Sequence, residues 1–176
     1  MSGFSKGLDK VEVALRWDPS PFGAPAHDLD VIAAVYTASD PYGSPAYLVH
    51  FDSRSPDGTV YLSRDSTTGM GFGDDEVLTL EFARQPEAHA RIVVGVVIQQ
   101  RPGRLVFADV ANAEVHIREG YRELASDDFS SVAESTAATV AEFVRTPGGA
   151  WELRPAVRGF DLDPDAFTAA MGARTV

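Results

Sequence analysis

Short apolar runs with turn residues between them recur along this 176-residue chain, and they constrain its fold more than any other feature. Residues 10–17 alternate strictly, with Val11 and Val13 on one side and Glu12 and Arg16 on the other. That period of two is typical of a strand with one buried face. Six further segments have strand character, at residues 31–37, 46–51, 59–62, 76–82, 91–99 and 113–118. Many short strands with frequent turns predict an all-β protein, either a sandwich or a barrel.

The C-terminal part contains three less regular segments. Residues 135–145 fit a helix by the spacing of their small apolar residues and a strand by their Thr and Val content, so both interpretations stay open. Residues 151–157 have strand character, but Pro155 confines that strand to a sheet edge or a bulge, because proline cannot donate a ladder hydrogen bond. Asp163 and Pro164 suit an N-cap and a first helical position, and they predict a short C-terminal helix.

Carboxylates and glycines are concentrated between residues 55 and 76. The acids in this stretch are Asp57, Asp65, Asp74, Asp75 and Glu76. Clustered carboxylates repel one another, so gathering them is costly unless a cation neutralises them. Calcium suits this role because it takes about six to eight oxygen ligands at flexible geometry. The glycines allow tight turns that aim carbonyl oxygens inward. The stretch therefore predicts a calcium site.

A second acidic pair, Asp28 and Asp30, lies at the entrance of the second predicted strand. Residues two apart in a strand point to the same side, so both carboxylates can face one ion. Taken alone, the pair also fits a turn in which Asp28 accepts hydrogen bonds from local amides. The consecutive Asp74, Asp75 and Glu76 point to opposite sides if they are extended, which predicts two neighbouring calcium ions.

Other binding motifs fit the chain poorly. The acids lack the spacing of an EF-hand. The glycine-rich run at residues 69–73 lacks the Lys-Ser/Thr pair and the helix of a phosphate loop, and Asp74 and Asp75 would repel a phosphate. The net charge of −11 argues against a nucleic-acid partner, which requires a basic face. An acidic interaction module without any metal stays open as an alternative.

The rest of the composition bears on location and chemistry. The chain has no cysteine, which excludes disulfides, a thiolate zinc site and a thiol nucleophile. It lacks the basic and apolar start of a secretory signal, and its longest apolar run, residues 92–98, is too short to span a bilayer. We therefore expect a soluble cytoplasmic protein without a transmembrane segment, folded as one domain over residues 1–176.

Catalytic motifs have little support in the sequence. The histidines lack metal-ligand spacing, and no Gly-x-Ser-x-Gly nucleophile elbow occurs. His27 beside Asp28 is better explained as an ordinary loop histidine. Paired carboxylates can hydrolyse glycosides, but such enzymes need exposed aromatic residues, and Trp17 and Trp151 both fall in predicted strands. A carboxylate-dependent hydrolase on a β-sandwich is kept as the alternative function.

A series of short motifs occurs in a fixed order along nearly the whole chain. They are Trp17-Asp18, Asp28-Leu29-Asp30, Ser55-Pro56-Asp57-Gly58, Asp65-Ser66-Thr67-Thr68-Gly69, Gly73-Asp74-Asp75-Glu76, Trp151-Glu152-Leu153-Arg154 and Gly159-Phe160. In this order they resemble the TerD family, the tellurium-resistance and general-stress proteins of bacteria. The resemblance implies a β-sandwich that binds calcium through its acidic loops and has no established catalytic activity.

The residues and the resemblance together give one set of expectations. The fold is expected to be an all-β sandwich of two mainly antiparallel sheets with a short C-terminal helix. The function is expected to be calcium binding in a stress response linked to tellurite resistance, by metal-dependent binding or scaffolding of unidentified proteins of a stress-response complex and not by catalysis. The predicted metal ligands, shared between two ions, are Asp28, Asp30, Asp57, Asp65, Asp74, Asp75 and Glu76.

Overall fold

A computed structural model describes residues 7–71, 73–100 and 103–174. These residues form two five-stranded antiparallel sheets and one short helix. The elements are β1 Lys10–Arg16, β2 Leu29–Thr37, β3 Tyr47–Val49, β4 Val60–Arg64, β5 Glu76–Glu81, β6 His89–Ile98, β7 Glu114–Glu119, β8 Arg122–Asp127, β9 Ala137–Arg145, β10 Trp151–Phe160 and α1 Pro164–Ala170. The predicted all-β sandwich is confirmed, and it is not a barrel. The described part of the chain holds no helix with the length and apolar character that crossing a membrane requires.

The strand order places the most apolar strands centrally. The first sheet runs β4-β5-β1-β7-β8 and the second runs β10-β9-β6-β2-β3. In β1 the predicted alternation is present, since Val11 and Val13 are buried while Glu12 and Arg16 are exposed. In β6 all but one residue is buried. Its central position confirms the expectation drawn from its run of Val and Ile residues.

The inner faces of both sheets form the main core. β1, β5 and β7 contribute side chains from the first sheet, and β2, β6 and β9 contribute them from the second. Trp17 and Trp151 belong to this core and are only 1% and 3% exposed, as predicted. Burial of each large apolar side chain contributes about 1.5–3 kcal/mol, so this layer supplies most of the favourable free energy of folding.

Helix α1 covers a smaller core on the outer face of the second sheet. Phe167 is fully buried there, together with Ile32 and Val97. A Cβ on Gly95 would lie 2.5 Å from Cζ of Phe167, so glycine at this position lets the ring approach β6. Because both faces of β2 and β6 are covered, these strands are nearly continuous apolar runs and do not alternate.

Three C-terminal strands refine the expectations from sequence. β9 is a strand and not a helix, and its first residues are buried on both faces, which obscures the period of two. β10 is an edge strand with a register shift between Pro155 and Arg158, so the proline lies both at an edge and at an irregularity. The sequence pattern does not predict β8, because none of its residues is fully buried and only Leu124 and Ala125, two adjacent residues, pack partly against the core.

Asp163→Ala is expected to lower the free energy of unfolding by about 1 kcal/mol. Oδ1 of Asp163 accepts a hydrogen bond of 2.8 Å from the N–H of Ala166, and Pro164 occupies the first helical position. Chemical denaturation measures the effect. Asp163→Asn is the matched control, because it keeps the acceptor oxygen and should retain most of the stability. An equal loss in both variants would assign the effect to the charge and not to the cap.

Candidate metal centre

Three carboxylates from three separate segments meet at one end of the sandwich. Asp30 is the second residue of β2, Asp65 follows the last residue of β4, and Glu76 is the first residue of β5. One oxygen from each carboxylate lies within 4.8 Å of the other two. Asp30 and Glu76 are buried, whereas Asp65 is exposed. The group, called here the carboxylate triad, is therefore accessible from solvent on the side of Asp65.

Glu76 is the most enclosed member of the triad, with no solvent-exposed surface. Its Oε2 accepts a hydrogen bond of 3.1 Å from the N–H of Val31, which links the first sheet to the second. Its Oε1 is buried and receives no hydrogen bond from a donor group among the described residues. A buried carboxylate oxygen without a donor is costly unless a proton or a cation compensates it.

The electrostatic surroundings of Glu76 also indicate that a positive charge is needed beside it. The pKa of Glu76 is raised to about 11. Burial is the largest cause, followed by the charge of Asp30, a hydrogen bond to Asp65 and the charge of Asp65. The hydrogen bond from the N–H of Val31 lowers the pKa by a smaller amount. Two ionised carboxylates are both acceptors, so the hydrogen bond with Asp65 exists only while they share a proton. The triad therefore needs one positive charge at neutral pH, either that proton or a metal cation.

A glutamine that the sequence pattern did not single out orients Asp30. Nε2 of Gln99 donates a hydrogen bond of 2.6 Å to Oδ2 of Asp30. Gln99 directly follows β6, and β6 pairs with β2 so that Ile98 faces Leu29. The sequence could have indicated Gln99 by its position, because it is a polar residue directly after the central strand and that strand pairs with β2.

The loop after β4 is shaped by Trp17. Gly69 has a φ of +74°, and a Cβ there would lie 2.5 Å from Nε1 of Trp17. The indole in turn donates a hydrogen bond of 2.8 Å to the carbonyl of His27. Oγ of Ser66 accepts a hydrogen bond of 3.1 Å from the N–H of Gly69. Glycine is therefore required where the loop crosses the buried indole.

Asp74 and Asp75 are bound to partners outside the triad. Oδ2 of Asp75 accepts a hydrogen bond of 2.8 Å from the N–H of Trp17, and burial is the main cause that raises the pKa of Asp75. Oδ2 of Asp74 lies 3.2 Å from the guanidinium of Arg118, and Arg16 approaches Oδ1 to 4.0 Å. In the described residues one group of three possible ligands is assembled, and the two-ion arrangement stays a prediction.

Asp57 and Asp28 are also outside the triad. Oδ1 of Asp57 accepts hydrogen bonds of 2.6 Å from the hydroxyls of Ser55 and Thr59. Burial raises the pKa of Asp57, but these hydrogen bonds outweigh it and the pKa is lowered overall. Asp28 immediately precedes β2, and its carbonyl accepts a hydrogen bond of 2.8 Å from the N–H of Gln99. Asp57 therefore stabilises a turn, and Asp28 lies beside the triad without belonging to it.

Sequence comparison identifies relatives over most of the chain. The family model of the TerD domain matches residues 1–167. The Bacillus subtilis (strain 168) protein YceE is 32% identical over 163 residues, which is 88% of this chain and 83% of that protein. Tellurium resistance protein TerD of Alcaligenes sp. is 26% identical, with 91% and 85% of the two chains covered. General stress protein 16U of Bacillus subtilis (strain 168) is 28% identical, with 88% and 82% covered.

Two solved structures have nearly the same fold. A protein titled as of unknown function, SAV2460, is 58% identical with a TM-score of 0.94, and 97% of this chain and 100% of that chain are covered. A homologue of the telluride resistance protein TerD, SCO6318 from Streptomyces coelicolor A3(2), is 54% identical with a TM-score of 0.93, and 96% and 100% are covered. This chain therefore belongs to the TerD family, whose named members include tellurium resistance and general stress proteins.

Proposed function

We propose that this protein binds calcium at the carboxylate triad and acts in a stress response of the tellurium-resistance type. Calcium occupancy fixes the loops around the triad, and the loops then contact other proteins of a stress-response complex in the cytoplasm. The action is binding or scaffolding and not catalysis. The family membership supports the stress role, and the triad supports the cation.

The observation that carries the proposal is the buried Oε1 of Glu76, which has no donor among the described residues, in a side chain that lies beside two further carboxylates. A divalent cation placed among Asp30, Asp65 and Glu76 neutralises the charge that burial disfavours. It also supplies the interaction that Oε1 lacks.

Calcium fits this group better than other cations do. All three ligands are carboxylates, and hard oxygen ligands favour calcium, magnesium or manganese over zinc and copper. The exposed side at Asp65 leaves room for water and carbonyl ligands, which calcium accepts at variable geometry. Magnesium requires a near-ideal octahedron and releases water reluctantly.

A second calcium ion, if bound, would use Asp28, Asp74 and Asp75. Asp57 is left out because its hydrogen bonds already satisfy it.

Asp65→Asn is expected to weaken calcium binding at least tenfold, which is about 1.4 kcal/mol. The substitution keeps the shape of the side chain but removes one of the negative charges that hold the ion. Calorimetric titration of chelator-stripped protein measures the affinity and the number of ions. Glu12→Gln is the control, since it removes one charge from the exposed face of β1 and should leave the affinity unchanged because solvent screens it.

Two results would contradict the proposal. If calcium produces no binding signal in the wild type, the acids form a metal-free interaction surface. If Asp65→Asn and Glu12→Gln bind calcium equally well, the ion is held elsewhere. Turnover of a chromogenic ester or glycoside that disappears in Asp65→Asn would support the alternative of a carboxylate-dependent hydrolase.

A further inference from the structure

We propose that a cleft beside the carboxylate triad binds a small organic carboxylate with an aromatic or aliphatic body. The cleft lies along one edge of the sandwich, where residues 50–59 connect β3, an edge strand of the second sheet, to β4, an edge strand of the first. Its volume is about 440 Å³. Small-molecule sites in proteins have volumes of roughly 300–1,000 Å³, so the cleft is large enough for such a ligand.

The walls of the cleft are largely apolar. Val49, Val60 and Leu62 line it and continue into the main core. The rings of Phe51 and Tyr61 also line it, and they are 59% and 36% exposed. Large apolar side chains at the surface leave contact area that a ligand with an aromatic or aliphatic body can bury.

The backbone fixes the position of Phe51. His50 and Ser53 exchange backbone hydrogen bonds of 3.0 and 3.1 Å across a tight turn, and Phe51 lies within that turn. The hydroxyl of Ser53 donates a further hydrogen bond of 2.7 Å to the carbonyl of Leu48. The ring is thus held at the surface by the turn and not by packing in the core. The turn therefore keeps the Phe51 ring at the surface, where a ligand can contact it.

Arg54 and Asp65 are the charged residues that line the cleft. Arg54 is exposed and makes no ion pair or hydrogen bond within the described residues. Its guanidinium can hold a carboxylate through two parallel hydrogen bonds. Asp65 belongs to the triad, so a calcium ion bound there neutralises the repulsion between Asp65 and an anionic ligand. This last step rests on the proposed function.

Together these groups select one ligand class. An apolar body gains contact with Leu62 and the two exposed rings, while a carboxylate gains the guanidinium of Arg54. A neutral ligand of the same shape gains only the apolar contacts. A cationic ligand is repelled by Arg54 and, when calcium is bound, by the ion as well.

Three probes with one shared body test this inference, namely phenylpropionate, phenylpropanol and phenylpropylammonium. In calcium-loaded wild-type protein, NMR titration is expected to give phenylpropionate a Kd at least tenfold below those of the alcohol and the amine. Arg54→Gln should abolish that preference, since it removes the charged donor that holds the carboxylate. Arg84→Gln is the matched control, because this exposed arginine does not line the cleft.

The outcomes separate this inference from the proposed calcium site. Arg54→Gln should bind calcium as tightly as the wild type, which also shows that the variant is folded. Equal affinity of the three probes, or an unchanged phenylpropionate affinity in Arg54→Gln, would overturn the ligand inference while leaving the calcium site in place. If calcium does not bind at all, the proposed function fails, but a preference for phenylpropionate in chelator that depends on Arg54 still supports the cleft.

Discussion

Calcium at a hundredfold excess over its Kd is expected to raise the free energy of unfolding by about 2.7 kcal/mol. The reason is that Asp30, Asp65 and Glu76 meet only in the folded protein, so the unfolded chain offers the ion no comparable site. For a chain of this length the increase corresponds to a rise in Tm of roughly 5–10 °C.

Thermal and urea unfolding in calcium, in magnesium and in chelator measure this effect. Magnesium should stabilise the protein much less than calcium does, because it requires a near-ideal octahedron and releases its water reluctantly. Asp65→Asn should show a smaller calcium response than the wild type. Coincident unfolding curves in calcium and in chelator would remove the basis for a calcium site.

Glu76→Gln is expected to make the protein more stable than the wild type in chelator at pH 8 and to eliminate most of its response to calcium. The amide keeps the size of the side chain and needs no proton to be neutral. It also supplies a donor that can reach Asp65. The same change removes the most buried ligand of the ion, so calcium loses both a negative charge and an oxygen that is already in place.

The dependence on pH follows from the raised pKa of Glu76. In the folded, cation-free protein this pKa is about 11, against an ordinary value of 4.5. Between these two values the folded state binds a proton that the unfolded state has lost. The stabilising contribution is therefore fully present below the ordinary value and declines as pH rises towards 11, by about 1.4 kcal/mol for each pH unit.

Denaturation in chelator at pH 6, 7 and 8 tests this sign. The wild type should lose stability with rising pH relative to Glu76→Gln, and saturating calcium should reduce the difference in slope because the ion replaces the proton. Glu12→Gln, on the exposed face of β1, should follow the wild type. Parallel pH profiles for the wild type and Glu76→Gln would show that Glu76 is already ionised without calcium.

The sequence predicts most of the fold because the apolar pattern of most strands shows which of their faces are buried. β1 alternates because one of its faces is buried, and β6 is apolar throughout because both of its faces are covered. The same rule explains the failures. β8 has only the partly buried Leu124 and Ala125 to reveal it, and β9 has lost its alternation because its first residues are buried on both sides. Apolar patterning depends on burial, so it gives a weak signal where a strand buries few residues.

The candidate site is predicted less completely. The sequence identifies the acids but not which of them meet. Asp57 could have been recognised as a turn residue, because its donors Ser55 and Thr59 are two positions away and Asp in such a turn bonds local groups. The partner of Asp75 is the N–H of Trp17, which is far away in the sequence. Only the docking of the strands separates that acid from Glu76.

The hydrogen bond from Val31 to Glu76 joins the two sheets at the triad, and Asp30 lies in one sheet while Glu76 lies in the other. No single loop of this chain therefore contains the site, and grafting residues 55–76 onto another scaffold would not transfer it. During synthesis the proposed ion would have no place to bind until β5 has been made and the sheets have docked. Calcium bound as proposed would then report that the two sheets have come together.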